Sequence, residues 1–135
     1  MADVSFGVFA LLLWGGACAF FVRAAWLHWT DPERAPALDM SRFASDPAVV
    51  RGHERGVVAF AGWLAGMTLG GVALVAGADL VGSLLVVGSL PLLAAHATIT
   101  WFNRPRFLVP PHRRGETGSV VAWWRRRRAS GPEHG

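Results

Sequence analysis

The chain has 135 residues, of which 53% are hydrophobic and 16% charged. Soluble domains carry about 25% charged residues, so this composition argues against a soluble enzyme or a separate soluble domain. The formal net charge is +4, and all 13 basic residues are arginines that lie outside three long apolar stretches. This placement is typical of membrane topology rather than of nucleic-acid binding.

The apolar stretches cover residues 4–22, 56–78 and 80–102. Each is close to the ~20 residues that a helix needs to cross ~30 Å of hydrocarbon. They predict an all-α integral membrane protein with three transmembrane helices, the second and third forming a tight hairpin. The predicted segments are a first transmembrane helix at 1–29, a cytoplasmic loop at 30–55 whose helix leads into the membrane, a second transmembrane helix at 56–78, an outer turn and third transmembrane helix at 79–102, and a cytoplasmic basic tail at 103–135.

The first stretch is expected to stay in the protein as a helix. A cleaved signal peptide needs a basic start, whereas Asp3 places an acid there. The helix should end near Trp29, because Pro32 disfavours helical geometry in the residue before it. Cys18 is the single cysteine, so no internal disulfide is possible.

A second helix is predicted to start in the loop before the second stretch. Ser45 or Asp46 provides a cap and Pro47 suits the first helical turn. This helix would carry Glu54 between two arginines before it enters lipid. We expect Glu54 to form an interfacial ion pair of small energetic weight with Arg51 and Arg55.

The arginines predict the orientation of the chain. The arginines lie either between the first and second apolar stretches or after the third stretch. The turn between the second and third stretches contains no arginine and has Asp79 instead. Short loops rich in arginine stay in the cytoplasm. The sequence therefore predicts a multi-pass plasma-membrane protein with its N-terminus outside and its C-terminus in the cytoplasm.

The second stretch contains three glycines at a spacing of four: Gly62, Gly66 and Gly70. Residues four apart share one helix face, and small residues there let another helix approach closely. The partner helix is either part of the same chain or part of a second copy or another membrane protein.

The third stretch carries a polar stripe. Ser89, His96 and Asn103 recur at steps of seven, and Thr100 lies one turn beyond His96. Polar groups inside a membrane turn toward protein, so the stripe should face another helix. Pro91 should kink the helix beside Ser89.

His96 is the one titratable side chain well inside a stretch. We expect a neutral imidazole that hydrogen-bonds to a neighbouring helix; the alternatives are a proton relay, a ligand site, or haem ligation together with His28 or His53. No HxxxH or CxxC spacing indicates a metal site. No complete catalytic motif is present, so we predict no catalytic residue, no metal and no cofactor, with haem as a minor alternative.

The tail contains a basic and aromatic cluster, which is predicted to form a short interfacial helix. Its tryptophans would enter the interface while each arginine contributes about 1 kcal/mol with anionic lipid headgroups. Docking on an acidic partner protein is the alternative, and nothing else in the chain reads nucleic-acid bases. The cluster comprises Trp123, Trp124, Arg125, Arg126, Arg127 and Arg128.

Residues 102–112 read FNRPRFLVPPH. Because of its prolines, this segment is expected to leave the bilayer as a stiff, extended chain. This segment resembles one that follows the last span of small uncharacterised actinobacterial multi-span membrane proteins. The resemblance covers the tail segment alone. It implies a membrane protein and brings no activity or site residue with it.

These features together favour a non-catalytic accessory or assembly subunit of a plasma-membrane protein complex. Its partners would be the bilayer and either a membrane protein or further copies of itself. One alternative is a small homo-oligomeric transporter or channel lined by Ser89, His96 and Asn103. The other is a haem or redox membrane subunit.

Overall fold

The structure is a computed structural model that describes residues 2–38 and 47–129. The described residues form only helices and connecting turns, which confirms the predicted all-α class. The long helices are α1 (Ala2–Thr30), α2 (Pro47–Val75) and α3 (Asp79–Phe102), followed by two 3-10 turns, Arg106–Leu108 and Pro111–Arg113, and by α4 (Ser119–Ala129). The predicted cap at Ser45 or Asp46 and tail residues 130–135 lie outside the described residues.

Two helical segments, Arg51–Val75 and Asp79–Phe102, are long and apolar enough to cross a membrane. The third span and insertion into a bilayer remain predictions. α1 ends at Thr30, just before Asp31 and Pro32. Its contact with α2 is aromatic, with ring centroids 4.8 Å apart for Phe21 and Phe60.

A Schellman motif joins α2 to α3. Gly77 has φ +79°, a left-handed conformation that favours glycine. Its N–H donates to the carbonyl of Leu74 over 3.0 Å, and the N–H of Ala78 donates to that of Ala73 over 2.8 Å. Asp79 then begins α3, where its negative charge favours the helix N-terminus. The two helices therefore reverse direction within three residues.

α2 and α3 approach each other closely along the hairpin. A Cβ on Gly70 would lie 2.9 Å from the carbonyl oxygen of Gly82, and one on Gly82 would lie 2.8 Å from that of Gly70. Such distances are possible only because neither residue has a side chain. The glycines therefore determine how near the two backbones come.

The hairpin has polar and small groups inside and apolar groups outside. The buried residues of α3 are Gly82, Ser89, Ile99 and Thr100. Its outer side chains are between 50% and 74% exposed, and they are Leu80, Val81, Leu84, Val87 and Leu90. A helix folded in water normally buries such an apolar face. The outer surface of this hairpin therefore suits hydrocarbon.

The segment after α3 does not leave the helices as the extended chain that its prolines predict. Asn103 ends α3 with φ 57° and ψ 42°, and the two 3-10 turns follow. The chain then folds back toward α2 and α3, and α4 contacts the ends of both helices. This return brings the last arginine-rich helix onto the hairpin.

Candidate functional site

Four charged side chains form a connected cluster at the end of the hairpin opposite the Schellman turn. Arg55 Nη1 lies 3.0 Å from Glu116 Oε2, and Arg113 Nη1 lies 2.6 Å from Glu116 Oε1. Arg113 Nη2 also donates to Glu54 Oε2. We name these residues, Glu54, Arg55, Arg113 and Glu116, the ionic clasp. The pairing of Glu54 with Arg113 corrects the sequence-based expectation that Glu54 pairs with Arg51 and Arg55.

Arg55 connects three helices from a buried position. It is 1% exposed, and its Nη2 donates to the Thr100 carbonyl over 3.1 Å and to Ser119 Oγ over 3.2 Å. Ser119 Oγ donates in turn to the same Thr100 carbonyl over 2.9 Å. Carbonyls in the last turn of a helix have no partner within the helix and carry partial negative charge. The guanidinium therefore ties the end of α3 to the start of α4.

The clasp shifts the pKa values of two of its members, Glu116 and Arg113. Burial raises the pKa of Glu116, but hydrogen bonds from Arg113 and Arg55 outweigh it, and the pKa lies below its ordinary value. Burial lowers the pKa of Arg113, but its hydrogen bond to Glu116 and the charge of Glu54 outweigh this effect, and the pKa lies above its ordinary value. Both shifts favour the charged forms. Glu116 and Arg113 are therefore ionised at neutral pH.

Asn103 holds the returning segment from the other side. Its Nδ2 donates to the Arg114 carbonyl over 3.3 Å and also to the Glu116 carbonyl. The side chain is buried at 3% exposure. Asn103 therefore combines the left-handed end of α3 with an anchor for the backbone of the clasp.

The polar stripe of α3 lies against the glycines of α2 within the same chain. A Cβ on Gly66 would lie 2.5 Å from Ser89 Cβ, and one on Gly56 would collide with the His96 ring. His96 Nδ1 lies 3.0 Å from the Gly56 carbonyl oxygen, and Thr100 Oγ1 donates to the Gly52 carbonyl over 3.3 Å.

The remaining glycines of the predicted face also meet α3. Gly62 faces Leu92, with 3.0 Å from an added Cβ to Leu92 Cδ1, and Gly70 faces Gly82 and Val86. Gly52 and Gly56 extend the face toward the clasp, although sequence reasoning missed them. Their own spacing of four was the available signal.

The four histidines that the structure describes form two separate pairs. The His53 and His96 ring centroids lie 5.5 Å apart, and the rings are tilted by 34°. His28 instead stacks on His112 at 5.9 Å, and its Nε2 lies 3.2 Å from the Pro36 carbonyl oxygen. His28 therefore does not join His96, as one of the haem alternatives requires. Within residues 2–38 and 47–129, no group of three histidine, cysteine or acidic residues could hold a metal ion.

The exposed end of α4 presents paired aromatic and basic side chains. The Arg127 guanidinium carbon lies 4.4 Å from the Trp123 ring centroid, and that of Arg128 lies 4.3 Å from the Trp124 centroid. These are cation–π distances. Both tryptophans are exposed, as are Arg125 and Arg126. We name residues 123–128 the basic–aromatic platform.

Gly118 fixes the position of α4. A Cβ added there would collide with the Trp101 carbonyl oxygen and with the backbone of Phe102. The start of α4 therefore packs directly on the backbone of α3. Together with the hydrogen bond from Arg55 of the clasp to Ser119, this contact gives the platform a defined orientation on the hairpin.

Comparison of the chain with protein-family models, curated proteins and solved structures finds no match.

Proposed function

We propose that the protein is a non-catalytic accessory or assembly subunit of a plasma-membrane complex and that it docks through the basic–aromatic platform. The observation that supports this most directly is the set of bonds from Arg55 to Glu116, to Ser119 and to the Thr100 carbonyl. These bonds attach α4 to the hairpin in one orientation, so the platform presents a defined surface.

The membrane placement rests on the distribution of apolar surface. The hairpin buries its polar stripe and exposes its leucines and valines, which suits lipid around it. In the proposed arrangement α1 is the third span, the N-terminus lies outside and the Schellman turn faces outward. The clasp and the platform then lie in the cytoplasm, in accord with the arginine bias.

A fixed platform argues for docking beyond simple anchoring. Each arginine near an anionic leaflet contributes about 1 kcal/mol whether or not its helix is held in place. Burying the Arg55 guanidinium costs desolvation energy that a mobile anchor does not need to offset. The orientation of α4 therefore supports recognition of a particular acidic surface on a membrane-protein partner, with anionic lipid headgroups as additional contacts and no nucleic acid involved.

The transporter alternative receives less support from the geometry. Ser89, His96 and Thr100 all lie against glycines of α2 in the same chain. A path lined by this stripe would require the hairpin to separate. The haem alternative now depends on His53 and His96 alone. An absorbance spectrum of the purified protein tests it: a Soret band would show bound haem and would favour this alternative over the present proposal.

The proposal is tested by photo-crosslinking in native membranes. A photoreactive residue at Trp124 should capture a partner membrane protein, whereas the same residue at Leu84, on the outer face of α3, should not capture that protein. Arg55→Leu should reduce capture from position 124 at least several-fold because it releases α4, and Gly115→Ala should leave capture unchanged because nothing lies within 4 Å of an added Cβ there. Equal capture with Arg55→Leu, or a protein of monomer mass without partners after gentle purification, would contradict the proposal.

A further inference from the structure

A cavity of about 370 Å³ lies where α1, the segment at 37–38, α2 and α3 meet. Among the residues that the structure describes, its wall is largely apolar and aromatic, and the polar side chains in it are two imidazoles. Ligand sites typically measure about 300–1,000 Å³ and combine apolar walls with a few polar groups that orient the ligand. Besides residues 37–38, the lining consists of Phe20, Phe21, His53, Val57, Phe60 and His96.

The hydrogen bond of His96 determines what its ring offers to the cavity. Nδ1 lies 3.0 Å from the Gly56 carbonyl oxygen, which can only accept. Nδ1 must therefore carry the proton, and a neutral His96 then has a lone pair on Nε2. Among the residues that the structure describes, the Gly56 carbonyl is the only hydrogen-bond partner of His96. His96 is thus a hydrogen-bond acceptor in the lining of the cavity.

The two imidazoles favour an uncharged ligand. Their centroids lie 5.5 Å apart, so protonation of both rings at once would place two like charges close together in an apolar wall, which is costly. At least one ring is therefore neutral, and an anionic ligand would lack a fixed pair of cations. The matching polar group is a neutral hydroxyl that donates to Nε2.

The aromatic wall favours a ring on the ligand. Phe60 makes an edge-to-face contact with Phe21, with ring centroids 4.8 Å apart and ring planes at 75°. Its centroid also lies 5.1 Å from that of His96, with the rings tilted by 47°. Edge-to-face contacts of this kind extend readily to one further aromatic ring. A ring that carries a hydroxyl satisfies both the wall and the acceptor.

We propose that this cavity binds a neutral phenol or hydroquinone whose hydroxyl group donates a hydrogen bond to His96 Nε2. The ligand ring packs against Phe21 and Phe60, and His53 lies beside the bound hydroxyl. The ligand reaches the site either from the aqueous phase or as the headgroup of a membrane-dissolved hydroquinone. This site is separate from the ionic clasp and the platform.

The test compares two probes that differ in one hydrogen-bond donor. 4-Propylphenol and its methyl ether, 4-propylanisole, are titrated by calorimetry into the full-length protein in nanodiscs, with empty nanodiscs subtracted for partitioning. We expect the phenol to bind about tenfold more tightly, the contribution of one net hydrogen bond. In wild-type protein labelled with ¹⁵N-histidine, the phenol and not the ether should shift the Nε2 resonance of His96.

Three variants test whether the difference in affinity between the phenol and its ether arises in this cavity. His96→Leu should abolish the roughly tenfold preference for the phenol, and Val57→Phe, which fills the space, should weaken both probes. His112→Gln should leave both affinities unchanged because His112 belongs to the other histidine pair. Equal binding of phenol and ether to the wild-type protein, or a preference that persists in His96→Leu, would overturn the proposal.

A competition arm separates the two sources of ligand. Nanodiscs that contain a long-chain hydroquinone should weaken phenol binding about tenfold if the site takes its ligand from the membrane. Undiminished phenol binding, with the preference over the ether intact, would support the water-soluble source. Both results are consistent with a phenol or hydroquinone as the ligand. If the wild-type protein in plain nanodiscs shows no preference for the phenol over the ether, this class of ligand is excluded.

Discussion

Arg55 donates from Nη1 to Glu116 Oε2 over 3.0 Å, across 61 positions of the chain. Arg55 is buried near the start of α2, whereas Glu116 lies just before α4 and keeps 28% of its side-chain surface exposed. This pair closes the segment after α3 onto the hairpin. The orientation of the basic–aromatic platform therefore depends on one buried guanidinium.

Arg55→Leu should release α4 from the hairpin. Removing one partner of a buried ion pair costs about 3–5 kcal/mol, and the partial exposure of Glu116 places the expected loss at the lower end. Hydrogen exchange of the amides at 119–129 should accelerate accordingly. Arg51→Leu is the matched control, because Arg51 lies one turn earlier and is exposed. Equal protection of α4 in both variants would contradict the role of the clasp.

Acid should weaken the docking of the tail in two steps. Burial lowers the pKa of His112 below its ordinary value of 6.5, and the charges of Arg113 and His28 lower it further. The unfolded chain then binds more protons below pH 6.5, so folded stability falls from there as the pH drops. The pKa of Glu116 also lies below its ordinary value of 4.5. The stabilisation that its carboxylate gives to the folded state is therefore complete above pH 4.5 and is lost as the pH falls through the folded pKa.

Protection factors of the α4 amides, which are corrected for the pH dependence of intrinsic amide exchange, measure these two steps as a function of pH. His112→Gln should reduce the loss of protection that begins near pH 6.5 and leave the more acidic loss unchanged. Glu116→Gln should remove the step below pH 4.5. A profile that is flat from pH 7 to pH 3 in the unmodified protein would contradict both assignments.

Alanine at the glycines of the hairpin should destabilise it selectively. Gly66→Ala and Gly70→Ala each force a Cβ within 2.5 to 2.9 Å of α3 atoms, and overpacking of this kind costs about 1–3 kcal/mol. Gly71→Ala and Gly88→Ala meet nothing within 4 Å and should be neutral or stabilising by up to about 1 kcal/mol.

Unfolding in mixed micelles gives the free energies for these four variants. The order of the four unfolding free energies tests whether the glycine face of α2 packs against α3 of the same chain. A loss at Gly71 or Gly88 as large as that at Gly70 would show that another protein surface packs on the outer side, as a homo-oligomer requires.

Two variants separate the roles of Asn103. Asn103→Gly keeps the left-handed conformation accessible and removes the amide that bonds to the Arg114 and Glu116 carbonyls. Asn103→Ala removes the amide and also strains the backbone. We expect a loss of about 1–3 kcal/mol of unfolding free energy for the glycine variant and an additional ~1 kcal/mol for the alanine variant. Equal losses would mean that backbone conformation contributes nothing there.

Much of the helix arrangement follows from local residues. The prolines at 32 and 47 mark helix ends, Gly77 permits the turn, and long apolar runs set the helix lengths. The stripe containing Ser89 and His96 was assigned to a protein-facing side because polar groups avoid hydrocarbon. These signals act between residues that are near in sequence, so they can be read without the fold.

The clasp depends on contacts that sequence position does not reveal. Arginine is almost never buried unless it is paired, so Arg55 was expected at the interface with its neighbour Glu54. Its acidic partner, Glu116, comes from a segment whose prolines suggested an extended chain. The left-handed Asn103 and the side-chain-free Gly118 make the return possible, and neither residue type alone specifies where the chain then goes.

The most direct test is cysteine labelling from opposite sides of the membrane. In a Cys18→Ser background, Asp79→Cys and Arg128→Cys are each exposed to a membrane-impermeant maleimide in intact cells and then after permeabilisation. A hairpin that spans the bilayer with its arginine-rich end inside predicts labelling of position 79 in intact cells and of position 128 only after permeabilisation. Labelling of both positions in intact cells, or the reverse pattern, would contradict the account.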